Sequence, residues 1–150
     1  MAYPWSANDI LTAADLNAAI ESGIVTTGLT LDTYTPVVTQ SNTPTLTVES
    51  AKYHTVAGMT HVVAHVAITS NGTASNAVRM SLPVASTSYR CQGIGGVYDA
   101  SAATWYFGMA LFVTSTTVEF RPNASAALGA ASFTAALASG DVVFLNCQYT

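Results

Sequence analysis

The sequence predicts an all-β protein: an antiparallel β-sandwich of the jelly-roll type, preceded by an N-terminal arm with one short α-helix. Residues from about 33 onward are dense in Thr, Val and aromatic side chains, which favour strands. Turn signals recur at the spacing of about 8–12 residues that is typical of sandwiches and jelly rolls. We therefore assign residues 1–24 to an anchoring arm and residues 25–150 to a β-sandwich that trimerises.

The arm is predicted to contain a helix that begins at Thr12 and ends near Gly23. Thr12 is a favourable N-cap, and Asp15 lies in the first turn, where the helix dipole favours an acid. A helix of about ten residues is marginal alone, so it must pack on its own β domain or on a partner. Aromatic residues just before the helix favour the partner. The predicted anchoring residues are Tyr3, Trp5, Ile10, Leu11, Leu16 and Ile20.

Alternation of apolar and polar residues predicts the strands of the body. They span 33–40, 45–49, 52–57, 60–70, 76–82, 89–98, 104–114, 116–121 and 141–149. Asn71-Gly72, between two alternating runs, predicts a hairpin that joins 60–70 to 76–82.

The same alternation predicts which side chains are buried, because successive residues of a strand point to opposite faces. In 60–70, Val62, Val66 and Ile68 share one face, while His61 and His65 share the other. The predicted core consists of Val62, Val66, Ile68, Met80, Leu82, Trp105, Phe107, Leu111 and Leu145.

Strand 104–114 is apolar on both faces: Trp105 and Phe107 lie on one, and Tyr106 and Phe112 on the other. An antiparallel strand in a single sandwich usually has one solvated face, so this strand predicts a further covering layer. A neighbouring subunit is one source of that layer, and a helix at 131–138 is the other. We expect the subunit. The candidate interface residues are His61, His65, Tyr106 and Phe112.

The composition favours assembly with other proteins. Only 8% of the residues are charged, against about 25% in soluble proteins. A surface of Ser, Thr, Asn, Gly and Ala is easily desolvated, which suits burial between proteins; a weakly charged monomer is the alternative. The four basic residues are scattered, so we expect no nucleic-acid partner.

We expect no membrane partner, because no apolar run approaches the roughly 18–20 residues that cross a bilayer. The N-terminus also lacks the basic start and apolar stretch of a signal peptide, so assembly in a cytoplasm is expected. Cys91 and Cys147 are too few for a disulfide framework, and reduced thiols are favoured over one bridge in that compartment.

No constellation of residues predicts catalysis, a metal or another cofactor. His61 and His65 are about 13 Å apart on a strand, so they cannot share a zinc ion within one chain. A ring of one histidine per subunit is the remaining metal hypothesis. The eight acids are spread singly, and no Gly-x-Ser-x-Gly elbow occurs. The stretch Gly93-Ile-Gly-Gly lacks the dinucleotide pattern and predicts a bulge or a close backbone approach. We expect a protein that is not an enzyme.

The segment from Trp5 to Ile20, Trp-Ser-Ala-Asn-Asp-Ile-Leu-Thr-Ala-Ala-Asp-Leu-Asn-Ala-Ala-Ile, resembles an N-terminal segment of structural proteins of tailed bacteriophages. The body is similar to the trimeric jelly-roll modules of phage fibres and decorations, which share the C1q and tumour-necrosis-factor fold. The features that carry this similarity are Gly58-Met59, Ser81-Leu82-Pro83 and the closing run from Gly140-Asp-Val to Tyr149.

The resemblance implies a homotrimer in the virion, assembled in the host cytoplasm and attached to a phage particle through its arm. A capsid decoration (minor capsid or head-fibre) protein would bind the major capsid protein. A tail-fibre or receptor-binding module, which recognises a host-surface glycan or protein, is the alternative; Tyr89, Tyr98 and Tyr106 would then be its aromatic platform. The sequence has no collagen-like tract or coiled-coil heptads to extend a tail tip, which favours decoration.

Overall fold

A computed structural model describes residues 31–74, 76–121 and 135–150, and in these residues the protein is all-β, with nine strands and no helix. The all-β, antiparallel class is confirmed. The strands are β1 (Asp32–Thr33), β2 (Val38–Thr39), β3 (Leu46–Val56), β4 (Met59–Ile68), β5 (Arg79–Ser81), β6 (Cys91–Asp99), β7 (Thr104–Thr114), β8 (Thr117–Arg121) and β9 (Val142–Tyr149). The compact unit that holds them begins at Leu31. The predicted helix, the boundary at 24/25 and the six anchoring residues lie outside the described ranges.

The nine strands form one antiparallel sheet in the order β1-β3-β4-β9-β6-β7-β8-β5-β2. Strands β1 and β2 lie at opposite edges of this sheet, although only residues 34–37 separate them along the chain. A flat nine-stranded sheet is about 38 Å wide at 4.8 Å per strand, whereas the connection spans at most about 18 Å. The sheet must therefore curl until its edges approach each other.

The connection from β1 to β2 is fixed to strands near both edges of the curled sheet. The amide of Tyr34 donates to the carbonyl oxygen of Ala51 in β3 at 3.2 Å. Val37 donates its amide to Oγ of Ser81 in β5 at 2.8 Å, and its carbonyl accepts the Ser81 amide at 2.9 Å. These bonds hold the two edges close and enclose one side of the sheet.

Gly58 and Gly72 are required for two different reasons, a tight turn and close packing. The β3–β4 hairpin closes through Ala57 and Gly58, which both have positive φ (51° and 81°), as a two-residue turn of the primed type requires. The hairpin predicted at Asn71-Gly72 is wrong, because β4 pairs with β3 and β9 while β5 pairs with β8 and β2. A Cβ at Gly72 would overlap the side chain of Gln40, so this glycine serves close packing.

The hydrophobic core lies on the enclosed, inner side of the sheet. Its members are Val38, Ala51, Val62, Ala64, Val66, Ile68, Val78, Met80, Leu82, Val97, Ala110, Val118, Phe120, Leu137, Val143, Leu145, Cys147 and Tyr149. Six predicted core residues are buried there: Val62, Val66, Ile68, Met80, Leu82 and Leu145. In β4 and β9, the core residues alternate with residues that face the outer side of the sheet.

The assignment of Trp105, Phe107 and Leu111 to the core is wrong, because all three side chains are exposed on the outer side of β7. The inner side of a strongly curled sheet has little room. Small residues therefore face inward at the centre of the strands: Ala51, Ala64, Gly95 and Ala110 are buried there. The bulky stripe of β7 stands on the convex side, where the curl opens space.

Gln40 is a buried polar side chain that ties a loop to the core. It is 0% exposed. Its Nε2 donates to the carbonyl oxygens of Asn76 (3.2 Å) and Ala135 (2.8 Å), and its Oε1 accepts the amide of Leu137 at 2.8 Å. Residues 135–138 are not helical, and Leu137 inserts into the core. The alternative of a helix at 131–138 is thus wrong over its described part.

Replacement of Gln40 by leucine is expected to lower the free energy of unfolding by about 2–4 kcal/mol, because buried backbone groups lose their partners. Chemical denaturation followed by far-UV circular dichroism measures this change. The control is Thr43→Leu at an exposed position between β2 and β3, where an effect within about 0.5 kcal/mol is expected. Equal losses in the two variants would contradict a structural role for the Gln40 side chain.

Candidate interaction face

The outer side of β4, β9, β6 and β7 forms a continuous apolar surface, which we call the outer aromatic face. It consists of Val63, Ile94, Tyr98, Trp105, Phe107, Met109, Leu111 and Phe144. The pairing of the strands places most of these residues in three rows across the sheet. The rows are Val63–Asn146–Ile94–Met109, His65–Phe144–Gly96–Phe107 and Ala67–Val142–Tyr98–Trp105.

Four aromatic rings at the centre of the face contact one another. Trp105 stacks on Phe107 with ring centroids 5.8 Å apart and meets Tyr98 at 4.8 Å. The ring of Phe144 makes T-shaped contacts with the rings of Trp105 and Phe107, with centroids 5.8 Å and 5.6 Å apart. The rings support one another, so they form a fixed surface and not independent exposed side chains.

Glycine lets this cluster lie against the sheet. A Cβ at Gly96 would come within 2.8 Å of the Phe144 ring, and a Cβ at Gly95, on the inner side, would overlap the Phe120 ring. An aromatic ring that covers a strand glycine stabilises the sheet locally. Backbone atoms also come close to this stretch: a Cβ at Gly93 would overlap the carbonyl oxygen of Asn146, and a Cβ at Gly96 would overlap that of Tyr106. The close backbone approach predicted for the glycine stretch of β6 is therefore confirmed.

The rings and the side chains beside them remain open to solvent. The exposed fractions are 47% for Trp105, 52% for Phe107, 59% for Met109 and 53% for Ile94. Single apolar residues at the surface are common, but a contiguous apolar patch marks an interaction site or a binding groove. This face is therefore the strongest candidate for a functional surface among the described residues.

An open groove of about 440 Å³ lies within the face. Its lining residues are Val63, Ala64, His65, Ile94, Trp105, Phe107, Phe144, Leu145 and Asn146. The polar side chains of the groove already have partners: His65 Nδ1 bonds Glu49, and Asn146 Oδ1 lies 3.0 Å from Nε2 of His61. The groove therefore offers mainly apolar contact.

The predicted interface residues fall on both sides of the sheet. His61 and His65 lie on the outer side, at the β4 border of the face, as the alternation in β4 predicts. Phe112 points inward and packs against the core, with its ring 5.7 Å from that of Tyr149. This position supports packing within the chain, and its assignment to a subunit interface stays a prediction. Tyr106 is half-buried and pairs with the inward-facing Val97.

The predicted tyrosine platform does not form. Tyr98 belongs to the outer aromatic face, but Tyr106 lies on the other side of the sheet, since adjacent strand residues alternate. Tyr89 is exposed, and its ring lies 6.0 Å from the inward-facing Phe112. The exposed aromatic surface is instead the cluster around Trp105 and Phe107. The sequence analysis does not assign Phe144 and Ile94 to this surface. Alternation shows which residues of one strand share a face, but it does not show which strands lie side by side.

Charge is concentrated at the borders of the face. Within β4, β9, β6 and β7, the only Asp, Glu, Lys or Arg is Asp99, at the end of β6, and β4 adds His61 and His65. Asp99 Oδ1 accepts hydrogen bonds from the hydroxyl and amide of Ser101 and from the amide of Ala102. The Ser101 hydroxyl, with the Ala102 and Ser101 amides, lowers the pKa of Asp99 below its ordinary value. Beyond β7, Arg79 and Glu119 form an ion pair at 2.9 Å.

The acidic side chains at this end of the sheet hold loops. Asp141 is 2% exposed and accepts the amides of Ala100 (2.9 Å) and Ala138 (2.8 Å). No group of three or more His, Cys, Asp or Glu among the described residues could hold a metal ion.

Burial, with smaller contributions from Cys147 and Tyr149, raises the pKa of Tyr34 far above its ordinary value.

Comparisons with protein-family models, curated proteins and solved structures find no match to this chain. Within residues 31–74, 76–121 and 135–150, no helix is long and apolar enough to cross a membrane. Inferences about function therefore depend on the geometry of the outer aromatic face and on the sequence of the arm.

Proposed function

We propose that this protein is a non-enzymatic structural component of a phage particle that works as a homotrimer. The observation that carries the proposal is the outer aromatic face. The four packed rings lie on strands in which Asp99 is the one Asp, Glu, Lys or Arg. Such a surface suits burial against another protein, because the centres of protein interfaces are rich in aromatic residues and poor in charge. The curled antiparallel sheet is, in this proposal, a variant of the trimeric jelly-roll body.

The virion role is supported by the arm. The segment from Trp5 to Ile20 resembles the N-terminal segment of tailed-phage structural proteins, and Trp5 and Tyr3 are the type of residue that anchors in a partner's pocket. We assign the arm to the major capsid protein and the β body to the outer surface of the particle. The protein is then a capsid decoration protein.

A second function, recognition of a host-surface glycan at a tail tip, is favoured by one feature: Trp105 and Phe107 present stacked, half-exposed rings beside a groove. Sugar rings bind such surfaces, but they also need convergent polar groups. Here the groove has two polar lining side chains, His65 and Asn146, and each already uses one atom to bond Glu49 or His61, which ranks the glycan function second.

Electron microscopy of intact phage particles, labelled with gold-conjugated antibodies against the β body, tests the placement. Label over the heads is the expected result, and mass spectrometry of purified particles is expected to detect the chain. Label confined to tail tips would replace decoration with the tail-fibre function. Absence of the chain from purified particles would overturn a virion role.

Removal of residues 1–24 is expected to abolish binding to particles while the β body stays folded, since these residues precede the compact unit that begins at Leu31. Co-sedimentation with particles that lack the chain measures binding, and far-UV circular dichroism checks the fold. The full-length chain is the positive control. A truncated, folded protein that still sediments with particles would contradict the anchoring role of the arm.

A further inference from the structure

We infer that the outer aromatic face is covered by a second copy of this chain, with the exposed side chains of β7 packed into the groove of the neighbouring copy. This inference rests on the proposed assembly and identifies the surface through which the copies meet. The side chains that would enter the groove are Met109 and Leu111, which we call the β7 ridge.

The size of the face matches the centre of a stable interface. Four strands at 4.8 Å and about seven residues at 3.3 Å along β7 cover on the order of 400 Å² of sheet. A standard interface buries about 800 Å² per partner, with an apolar centre and a polar rim. The rim is present: His61 and Gln148 lie beside the face on β4 and β9, and Gln92 lies on β6.

The chemistry of the face favours an identical partner. Within the four strands, Asp99 is the one Asp, Glu, Lys or Arg. The charged residues that pair with face residues from β3 and β8 carry both signs: Lys52, Glu119 and Arg121. A partner of one opposite charge would therefore find no uniform charge to pair with. Two copies of an uncharged face meet without like-charge repulsion, and both lose the same apolar surface from water. Sheets pack face to face about 10 Å apart with interdigitating side chains, which an alternation of ridge and groove allows.

The ridge and the groove occupy different parts of the same face. Val63 lines the groove on β4, whereas Met109, the most exposed member of the ridge, lies three strands away in the same row. The two Cα atoms are therefore about 14 Å apart within one chain. A disulfide needs Cα atoms no more than about 7 Å apart, so cysteines at these positions can bridge only between chains.

Disulfide trapping tests the contact. The double variant Val63→Cys/Met109→Cys, oxidised at micromolar concentration, is expected to give a covalent trimer on a non-reducing denaturing gel. The parent chain, with its native Cys91 and Cys147, and the off-face variant Thr43→Cys/Met109→Cys are the controls, and both are expected to stay at the monomer position. Reduction should return the trimer to single chains.

Other outcomes separate this inference from the proposed function. A covalent dimer as the largest product would support the shared face and overturn the trimer. No cross-linking in a sample whose native mass is that of an oligomer would overturn the contact and leave assembly standing. A native monomer that binds a glycan through this face would overturn both the contact and the assembly.

Discussion

Replacement of Met109 by lysine is expected to convert the assembled protein to single chains at micromolar concentration. Met109 is 59% exposed in one chain, so lysine there costs the isolated fold little. In the assembly, the ammonium group would lie unpaired in an apolar contact, which costs about 2 kcal/mol or more. The dissociation constant between copies is therefore expected to rise at least about 30-fold.

Sedimentation equilibrium measures this change, and Met59→Lys is the matched control. Met59 is also half-exposed, but it lies beside the β3–β4 turn, four residues along β4 from Val63, the member of the outer aromatic face on that strand. Its replacement should leave the mass of the assembly unchanged, and both variants should unfold at nearly the parent midpoint. Equal masses for the Met109 and Met59 variants would show that the face is not the contact surface.

Replacement of Gly93 by alanine is expected to lower the free energy of unfolding by about 3 kcal/mol, at the upper end of the usual cost of overpacking. A Cβ there would overlap the carbonyl oxygen of Asn146 and the Cβ of Cys147. These atoms belong to the backbone or lie next to it, so no side-chain rotation can relieve the overlap. Strands β6 and β9 would have to separate at the centre of the sheet.

Denaturant unfolding measures the effect of the Gly93 substitution. A control for the added methyl group is Gly95→Ala, where the overlapping atoms are the outer carbons of the Phe120 ring. A ring can move, and the pair Gly95→Ala/Phe120→Leu is expected to recover part of the stability that Gly95→Ala loses. A Gly93→Ala protein as stable as the parent would contradict the close approach of β6 and β9.

The strands could be predicted from sequence because their signals are local. The prediction of 104–114 coincides with β7, and 141–149 differs from β9 by one residue. The predicted segments 45–49 and 52–57 form one strand, β3. The pairing of β3 with β4 is irregular between Val48 and Ser50, which explains why the alternation predicts two strands there. The prediction of one strand over 33–40 is wrong, because β1 and β2 lie at opposite edges of the sheet. Alternation and turn residues thus located the longer strands well.

The pairing of strands could not be predicted, because it depends on distant parts of the chain. Strand β9 inserts between β4 and β6, so the Asn71-Gly72 segment connects strands that do not pair with each other. The same insertion brings Phe144 beside Trp105 and Phe107. The pairing of Tyr98 with Trp105, by contrast, lies in the β6–β7 hairpin, where local register could have revealed it.

Alternation predicts correctly which residues of β7 share a face, but the predicted core lies on the face that contains Trp105, which is the exposed one. The large apolar side chains of Trp105 and Phe107 predict that they lie in the core, but the curvature of the sheet places them on its outer side. On the inner side, Ala110 is buried and pairs with Phe120, while the larger stripe points outward. Both faces of the strand are apolar, as predicted, and the exposed face is the one that contains the tryptophan.

The mass of the purified, full-length protein in solution tests the central claim most directly. Light scattering coupled to size-exclusion chromatography is expected to give three times the chain mass of 15.5 kDa, or about 46.5 kDa, at micromolar concentration. A mass of 15.5 kDa that does not change up to the highest concentration would show that the outer aromatic face is open in the working protein, and would contradict the account.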